Sequence, residues 1–563
     1  MKKIFLWFFI SLLSTAIHAQ LLNLEWAKSF GDGSYDYASC ITVDDLGNVY
    51  VIGTFEGTVD FDPGDSSYNL TSNGDYDVFI QKLDADGNFI WAKSMGGSSI
   101  DWGNSISIDP SGNVYVTGKY FDMVDFDPSS STFNLTSNGS ADIFILKLDA
   151  DGNFIWVKSM GGVSGDEGES ITTDILGNVY ITGFYQSTVD FDPSDQTFDL
   201  TSNGSGDIFI LKLDGDGNFF WVKSMGGEAI DKGESITVDG KDNMYVIGTF
   251  EGTVDFDPSE DNFNLTSNGE YDVFIQKLDA NGTFIWAKSI GGKSFDSGHS
   301  VTTDTSGNVY LTGNFQGTTD FDPSTSIFNL TSNGGLDIFI QKLDANGNFI
   351  WAKSMGGIST DWGNSITTDA SSNVYVVGYY KYTVDFDPGT EVFNLTTNEF
   401  YDIFIQKLDG DGNFIWSESM GETDHDIGIS ITTDSFGNVY VTGDFQYTVD
   451  FDPSDAIFKL TSKGAYDVFI QKLSQVSITS VDEHITFNNV SIFPNPNQGL
   501  VNINFDEKRE VSIKVLNVSG QLIYHNVNIS NVIHQFELNA NPGVYFIELS
   551  SQGEKQYYKL VKN

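Results

Sequence analysis

The sequence predicts an all-β protein: a seven-bladed β-propeller of 65-residue repeats, its four-stranded blades each carrying an inserted hairpin, followed by a small Ig-like β-sandwich. Three observations predict it. A strict period runs through most of the chain, each period holds four turn-bounded apolar runs, and residues 490–563 differ in charge and pattern from everything before them.

The period is read in two registers. An Asp-Pro step recurs at Asp62, Asp127, Asp192, Asp257, Asp322, Asp387 and Asp452, and a tryptophan at Trp26, Trp91, Trp156, Trp221, Trp286, Trp351 and Trp416, always 65 residues apart. Self-similarity at a fixed spacing signals a repeat architecture. In the second repeat the runs "SISID" (105–109), "NVYVTG" (113–118), "DIFILKL" (142–148) and "NFIWVKS" (153–159) are rich in β-branched and aromatic residues, with the turn sequences "DPSG" and "DADG" between partners. That is the signature of two hairpins in one antiparallel unit. The runs are apolar on both faces, as small sheets sandwiched between their own kind require.

An extra segment, "TFEGTVDFDPGDSSYNLTSNGDY" (54–76), separates the second and third strands of the first repeat. Without its 23 residues a repeat has 42, within the ~40–45 of a propeller blade. Val59 and Phe61 alternate with Asp60, and Tyr68 and Leu70 alternate with Asn69, so the insert reads as a hairpin with one apolar face. Seven blades close a ring and remove its long sheet edges. The chain enters with a fourth-strand sequence, "NLEWAKS" (23–29), and the last repeat stops after its third, "DVFIQKL" (467–473), so the N-terminal strand is expected to complete the last blade.

Outside the ring, residues 1–19 have the Lys-Lys start, short apolar run and small residue of a secretory signal peptide, which leaves no transmembrane segment in the mature chain. The propeller then spans 20–473, a linker 474–489 and the C-terminal domain 490–563. In that domain six acids meet six bases, so the propeller carries the whole excess charge of -50. Nucleic acid is excluded as a partner, and anionic membrane is a poor one. Cys40, the single cysteine, stands where the other repeats have Ser and reads as its small buried substitute.

Five aspartate positions recur in every repeat, represented by Asp36, Asp44, Asp60, Asp62 and Asp77. The Asp36 position lies in the blade-linking loop, on the rim that bears the inserts, so that rim reads as strongly acidic. Three chemistries compete for the pairs Asp60 and Asp62, Asp125 and Asp127, Asp190 and Asp192, Asp255 and Asp257, Asp320 and Asp322, Asp385 and Asp387, Asp450 and Asp452. Carboxylates at i and i+2 of a strand lie roughly 7 Å apart, a spacing that suits inverting glycoside hydrolysis. Seven equal copies argue against it, because an enzyme normally breaks such symmetry. Calcium would take these hard oxygen ligands and offset the rim's self-repulsion, and it is the cofactor these pairs would bind. The favoured reading is structural: an Asp before Pro initiates a turn and accepts from the following amides. "DADGN" (84–88) reads likewise as a hairpin turn, lacking the distal Glu of an EF-hand.

Symmetry directs the search for function to positions where repeats differ. The blade-linking loops do, and Trp102 and Trp362 occur there without counterparts in the other five blades; aromatics at a propeller mouth would stack on sugar rings or anchor a protein. His299 and His425, the only propeller histidines, read as loop residues, too few for a zinc site.

"DPSGNVYVTG" (109–118) with "DIFILKLDADGNFIW" (142–156) resembles the bacterial seven-bladed β-propeller repeats called SBBP. The C-terminal domain resembles the type A sorting domain of the type IX (Por) secretion system. Its matches are Phe493, Pro494, Asn495 and Pro496, Gly520 in "VLNVSGQLI", Gly543 in "NPGVYFIEL", and Lys559, Leu560, Val561 and Lys562 at the terminus. The first resemblance implies a fold and no reaction. The second implies the type IX machinery as partner, and delivery to the outer cell surface or the medium. The chain therefore reads as an exported, non-catalytic binding or adhesion module for an extracellular carbohydrate or protein. An enzyme acting on extracellular polysaccharide and a structural surface-layer protein are the competing classes. A pocket of nonrepeating carboxylates would favour the enzyme, an aromatic patch the binder.

Overall fold

The computed structural model describes residues 20–454, 456–477, 490–505, 511–517, 521–529, 532–551 and 554–563. The signal peptide, most of the linker and Gly520 lie outside the described residues. Among the described residues there is no helix, and none is therefore long and apolar enough to cross a membrane.

Residues 20–477 form seven four-stranded antiparallel sheets. Blade 1 takes Asp36–Val43, Val49–Phe55, Asp77–Leu83 and Phe89–Met95 in simple up-and-down order. The strands of blade 2 are Trp102–Ile108, Val114–Tyr120, Asp142–Leu148 and Phe154–Met160. Three agree with the sequence reading to within two residues; the first starts earlier, at Trp102, because pairing resumes beyond a bulge. The middle strands, such as Val49–Phe55 and Asp77–Leu83, are buried along their whole length. Both their faces are covered by neighbouring blades, which explains their unbroken apolar sequence. One core, for example, joins Tyr50, Ile52 and Ile80 of blade 1 to Val116, Phe144 and Leu146 of blade 2.

Adjacent first strands touch in a closed cycle around the ring, the last against the first. The strand Gln20–Phe30 pairs beside Asp467–Ser477 and so completes the seventh blade, as expected. A polar clasp links consecutive blades. Trp91 Nε1 and Lys82 Nζ both donate to the Ala150 carbonyl in the next blade's outer turn, at 3.2 and 3.0 Å, with the ammonium 4.8 Å from the Tyr50 ring centre. At the junction of blades 6 and 7 the Trp416 indole N–H has no partner among the described residues, because the turn that would accept it is where the ring is closed by two different parts of the chain.

Each insert is a short hairpin, Thr58–Asp60 against Asn69–Thr71 in blade 1, and in blades 4 and 6 its strands run on from the blade itself. Phe61 packs 4.9–5.3 Å, centre to centre, from Phe30, Phe55 and Phe79, so the hairpin leans on its own blade and on the strand that closes the ring. This meets the need of an isolated hairpin for outside support.

The C-terminal unit has a three-stranded and a four-stranded sheet around Val501, Ile503, Ile513, Val515, Phe536, Ile547 and Leu560. Asn495 clips its first segment to its last: the side chain donates to Lys559 O at 2.7 Å and accepts from Val561 N at 2.8 Å. Lys562 Nζ donates to Leu538 O at 2.8 Å. Leu560 is buried within the core. The sorting residues Asn495, Leu560, Val561 and Lys562 thus hold the terminal strand in place.

Candidate functional site at the channel mouth

The first strand of every blade carries a bulge near its start. In blade 2 the register slips between Gly103 and Ser105, leaving Asn104 unpaired, and the same slip leaves Ser39, Glu169, Glu234, His299, Asn364 and Ile429 unpaired elsewhere. The second strand must carry glycine opposite: a Cβ on Gly118 would lie 1.9 Å from Trp102 O, and one on Gly53 2.0 Å from Tyr37 O. Bulges re-aim side chains and collect beside functional sites. Just outside the bulge, cross-strand pairs crown the channel: Tyr37 with Thr54, Trp102 with Lys119, Glu167 with Phe184, Lys232 with Thr249, Ser297 with Asn314, Trp362 with Tyr379, Ile427 with Asp444. No two of these pairs are alike.

Between the bulges runs a girdle that is constant but for one residue. Ser105 Oγ accepts from Ile171 N at 3.2 Å, and six of the seven junctions repeat this bond. Cys40 occupies the seventh serine position, its sulfur 3.9 Å from Ser430 Oγ, with burial pushing its thiol pKa up.

The variable residues sort into arcs. One aromatic arc is built on blades 7, 1 and 2: Tyr37 stacks at 6.1 Å on Trp102 and at 6.1 Å on Tyr35, and Tyr76 lies 6.0 Å from Trp102. A second lies on blades 5 and 6, where Trp362 is sandwiched between His299 at 5.3 Å and Tyr379 at 6.0 Å, with Tyr401 next in line. Both tryptophans are half-buried. They sit on strands rather than on loops, and each is held by its neighbours with part of the ring exposed. His299 is likewise on a strand, its Nδ1 3.1 Å from Gly363 O, and burial pulls its pKa down to about 4. The sequence reading of His299 as a loop residue is corrected by the bulge.

A charged arc on blades 2 to 4 separates the two. Lys119 pairs with Glu167 at 2.9 Å, Asn104 Nδ2 donates to Glu167 at 3.0 Å, and Lys232 Nζ lies 4.5 Å over the Phe184 ring. Glu169 and Glu234 project from the bulges. Burial and then the charge of Glu167 raise the Glu169 pKa well above the usual carboxylate range, and burial raises that of Glu234. Their repeat-mates explain the strain: Asn104, His299 and Asn364 each reach the next blade's glycine carbonyl at 2.8–3.1 Å. A carboxylate in that slot has no proton to offer. Sequence reasoning missed this row; its signal was a variable column between an otherwise near-constant Gly and Ser.

The recurring aspartates are elsewhere. Asp60 Oδ1 accepts from Asp62 N at 3.2 Å and Tyr68 N at 2.7 Å, while Asp62 Oδ1 accepts from Gly64 N at 2.8 Å. The same bonds recur at Asp125, Asp127, Asp190, Asp192, Asp255, Asp257, Asp320, Asp322, Asp385, Asp387, Asp450 and Asp452. These bonds are what the turn reading calls for. Among the described residues no three metal-ligating side chains converge. The linking-loop aspartates do not make the rim acidic in the way expected, for they face inward: Asp101 is buried and accepts from Gly97 N at 2.7 Å and Phe121 N at 3.0 Å. Burial pushes Asp36 and Asp426 up to about 8 and Asp101 to about 7. "DADGN" is a hairpin turn, with Gly87 at φ +76° and its N–H bonded to Asp84 O at 3.0 Å.

Comparison with known proteins agrees with this architecture. The family described as "Beta-propeller repeat" matches residues 25–54, 90–119, 155–183, 285–321, 350–379 and 421–444, and the family described as "Secretion system C-terminal sorting domain" matches 491–563. The chain carries both. An uncharacterized WD repeat-containing protein of Acanthamoeba polyphaga mimivirus is 27% identical over 528 residues, covering 79% of this chain and 38% of that protein. The regulatory protein FlaEY of Caulobacter vibrioides is 24% identical over 243 residues, covering 40% of this chain and 24% of its own length. The chain thus spans well under half of either relative. A copper-bound fungal alcohol oxidase of the AA5 family aligns over 95% of this chain and 98% of its own, at 11% identity and a TM-score of 0.33, a likeness that carries no argument.

Proposed function

We propose that this exported propeller is a binding module whose channel mouth, on the rim of the blade-linking loops, takes an extracellular glycan. The observation that carries the reading is the pair of aromatic arcs, Tyr37–Trp102 and His299–Trp362–Tyr379, at cross-strand pairs that no two blades share, the tryptophan itself being confined to blades 2 and 6. Pre-stacked rings are a rigid apolar platform for the C–H faces of sugars, and the intervening Lys119, Glu167 and Asn104 offer donors and acceptors for hydroxyls. The net charge of -50 disfavours uronate-rich chains and favours neutral or amino-bearing ones. The sorting domain supports delivery by the type IX machinery to where such polymers are met.

A glycan array probed with the full chain, with calcium and with EDTA, tests this. Binding that falls at least tenfold in Trp102→Ala or Trp362→Ala is the expected result; binding indifferent to both, or none, overturns it. Loss in EDTA alone would transfer the role to the Asp60 and Asp62 pairs and calcium.

A second reading has one observation in its favour: Glu169 and Glu234, carboxyls of raised pKa that stand at the bulges of blades 3 and 4 alone, suit a general acid acting on an extracellular polysaccharide. Release of reducing ends that disappears in Glu169→Gln would establish it.

A further inference from the structure

The opposite rim, built from the turns between first and second strands, breaks the sevenfold symmetry in a different way. Those turns share one hydrogen-bond plan. In blade 1 the Asp44 carboxylate accepts from Leu46 N at 3.0 Å and Asn48 N at 2.9 Å, and Gly47 N donates to Asp44 O at 2.9 Å. The two tip residues play no side-chain part in that plan, and blades 4, 5 and 6 form the same turn with Gly240–Lys241, Thr305–Ser306 and Ala370–Ser371. Blades 7, 1 and 3 instead place Phe436, Leu46 and the pair Ile175–Leu176 there, each 78–87% exposed. Blade 2 contributes Pro110.

These residues are contiguous. Leu46, Pro110 and Ile175 line one cavity of about 440 Å³, and Phe436 lines a smaller one of about 90 Å³ that shares Val43, Asp44 and Asp45 with the first. The floor is the ends of the first strands, Val43, Ile108 and Thr173. Among the residues lining the two cavities, five carboxylates, Asp44, Asp45, Asp109, Asp174 and Asp434, stand against one lysine, Lys82, already bonded to Ala150 O. Contiguous exposed apolar surface rimmed by polar residues marks an interaction site.

We propose that this crest docks a protein segment that presents apolar side chains flanked by lysine or arginine. The charge of the border selects the flanks and repels an anionic lipid surface, while aliphatic tips in place of stacked rings select side chains over sugars. The site lies on the turn rim, so it is independent of the glycan reading, and the two surfaces allow the ring to hold a polymer and a partner protein together.

The test uses the full chain and three labelled 14-residue peptides: one alternating Leu and Lys, one with Ser for Leu, and one with Glu for Lys. The Leu/Lys peptide is expected to bind at least tenfold more tightly than either control. Its affinity should fall at least tenfold in Leu46→Ser/Ile175→Ser/Phe436→Ser and weaken with salt. Lys241→Leu, which adds an apolar tip in blade 4, should leave binding unchanged or tighten it. Because all four residues are solvent-exposed turn tips, the melting temperature serves as a check that the variants fold. Equal binding by the triple variant, equal binding of the Leu/Glu peptide, or no binding of the Leu/Lys peptide would each overturn the proposal. Concentration-dependent dimerisation abolished by the triple variant would overturn it in favour of a second copy of this chain.

Discussion

The crown of inserted hairpins and the channel mouth share a rim, yet they use their residues in opposite ways. In the crown the same carboxylates recur seven times and hold the same backbone amides, Asp60 those of Asp62 and Tyr68, in every copy. At the mouth the backbone is what repeats, a bulge opposite a glycine, and no two blades carry the same cross-strand pair beside it. The lesson is that in a symmetric ring repeated polar residues build the frame, and departures from the repeat are where a binding site is to be sought.

The comparison can be strained first at its frame. Asp101→Ala would orphan the Gly97 and Phe121 amides in a buried loop and is expected to cost about 2–3 kcal/mol, read as a fall in melting temperature. Trp102→Ala, at the mouth, is expected to cost about 1 kcal/mol of stability, its ring being only half-buried, while removing most of the glycan affinity. If the two substitutions exchanged these effects, the division between frame and site would fail.

A smaller effect follows from pH. Burial raises Asp36 and Asp426 to about 8, and Asp101, Asp142, Asp296, Asp337 and Asp402 to about 7. Carboxyls with a folded pKa above the unfolded value of about 3.9 hold their protons better in the folded state. Their contribution is complete below that value and is lost as pH rises through 7 to 8. The melting temperature is therefore expected to fall between pH 5 and pH 8.5, and Asp101→Asn should flatten that slope.

The gentlest test compares two tryptophans. Trp91→Phe removes a bond to Ala150 O and should cost about 1 kcal/mol, whereas Trp416→Phe removes an indole N–H that has no partner among the described residues and should cost less. Asp60→Asn, which keeps the accepting oxygen, is expected to change the melting temperature least, and EDTA is expected not to change it at all.

Much of this was legible in the sequence. The two 65-residue registers gave blade boundaries, and the fourth-strand sequence at residues 23–29 gave the closure, because a period and a strand pattern are local properties. The Asp-Pro turn was readable for the same reason. The inward turn of Asp36 and Asp101 was not, since whether a loop carboxylate faces water depends on amides brought from distant segments, Glu56 and Phe121 here. The mouth was half legible: Trp102 and Trp362 stood out as letters the other five blades lack, but the bulge that sets Glu169, Glu234 and His299 outside the strand pairing comes from a one-residue slip between strands. No residue type announces such a slip, though the glycine it demands at Gly183, Gly248 and Gly313 does repeat.

Hydrogen–deuterium exchange on the full chain, with and without the glycan selected on the array, tests the central claim most directly. Protection confined to the starts of the first strands, at residues 35–39, 102–104 and 362–364, with the hairpins at 58–71 and their repeats unchanged, is the expected pattern. Equal protection of all seven hairpins with an unchanged mouth would contradict it, and would make the repeated carboxylates the site and the variable ring its frame.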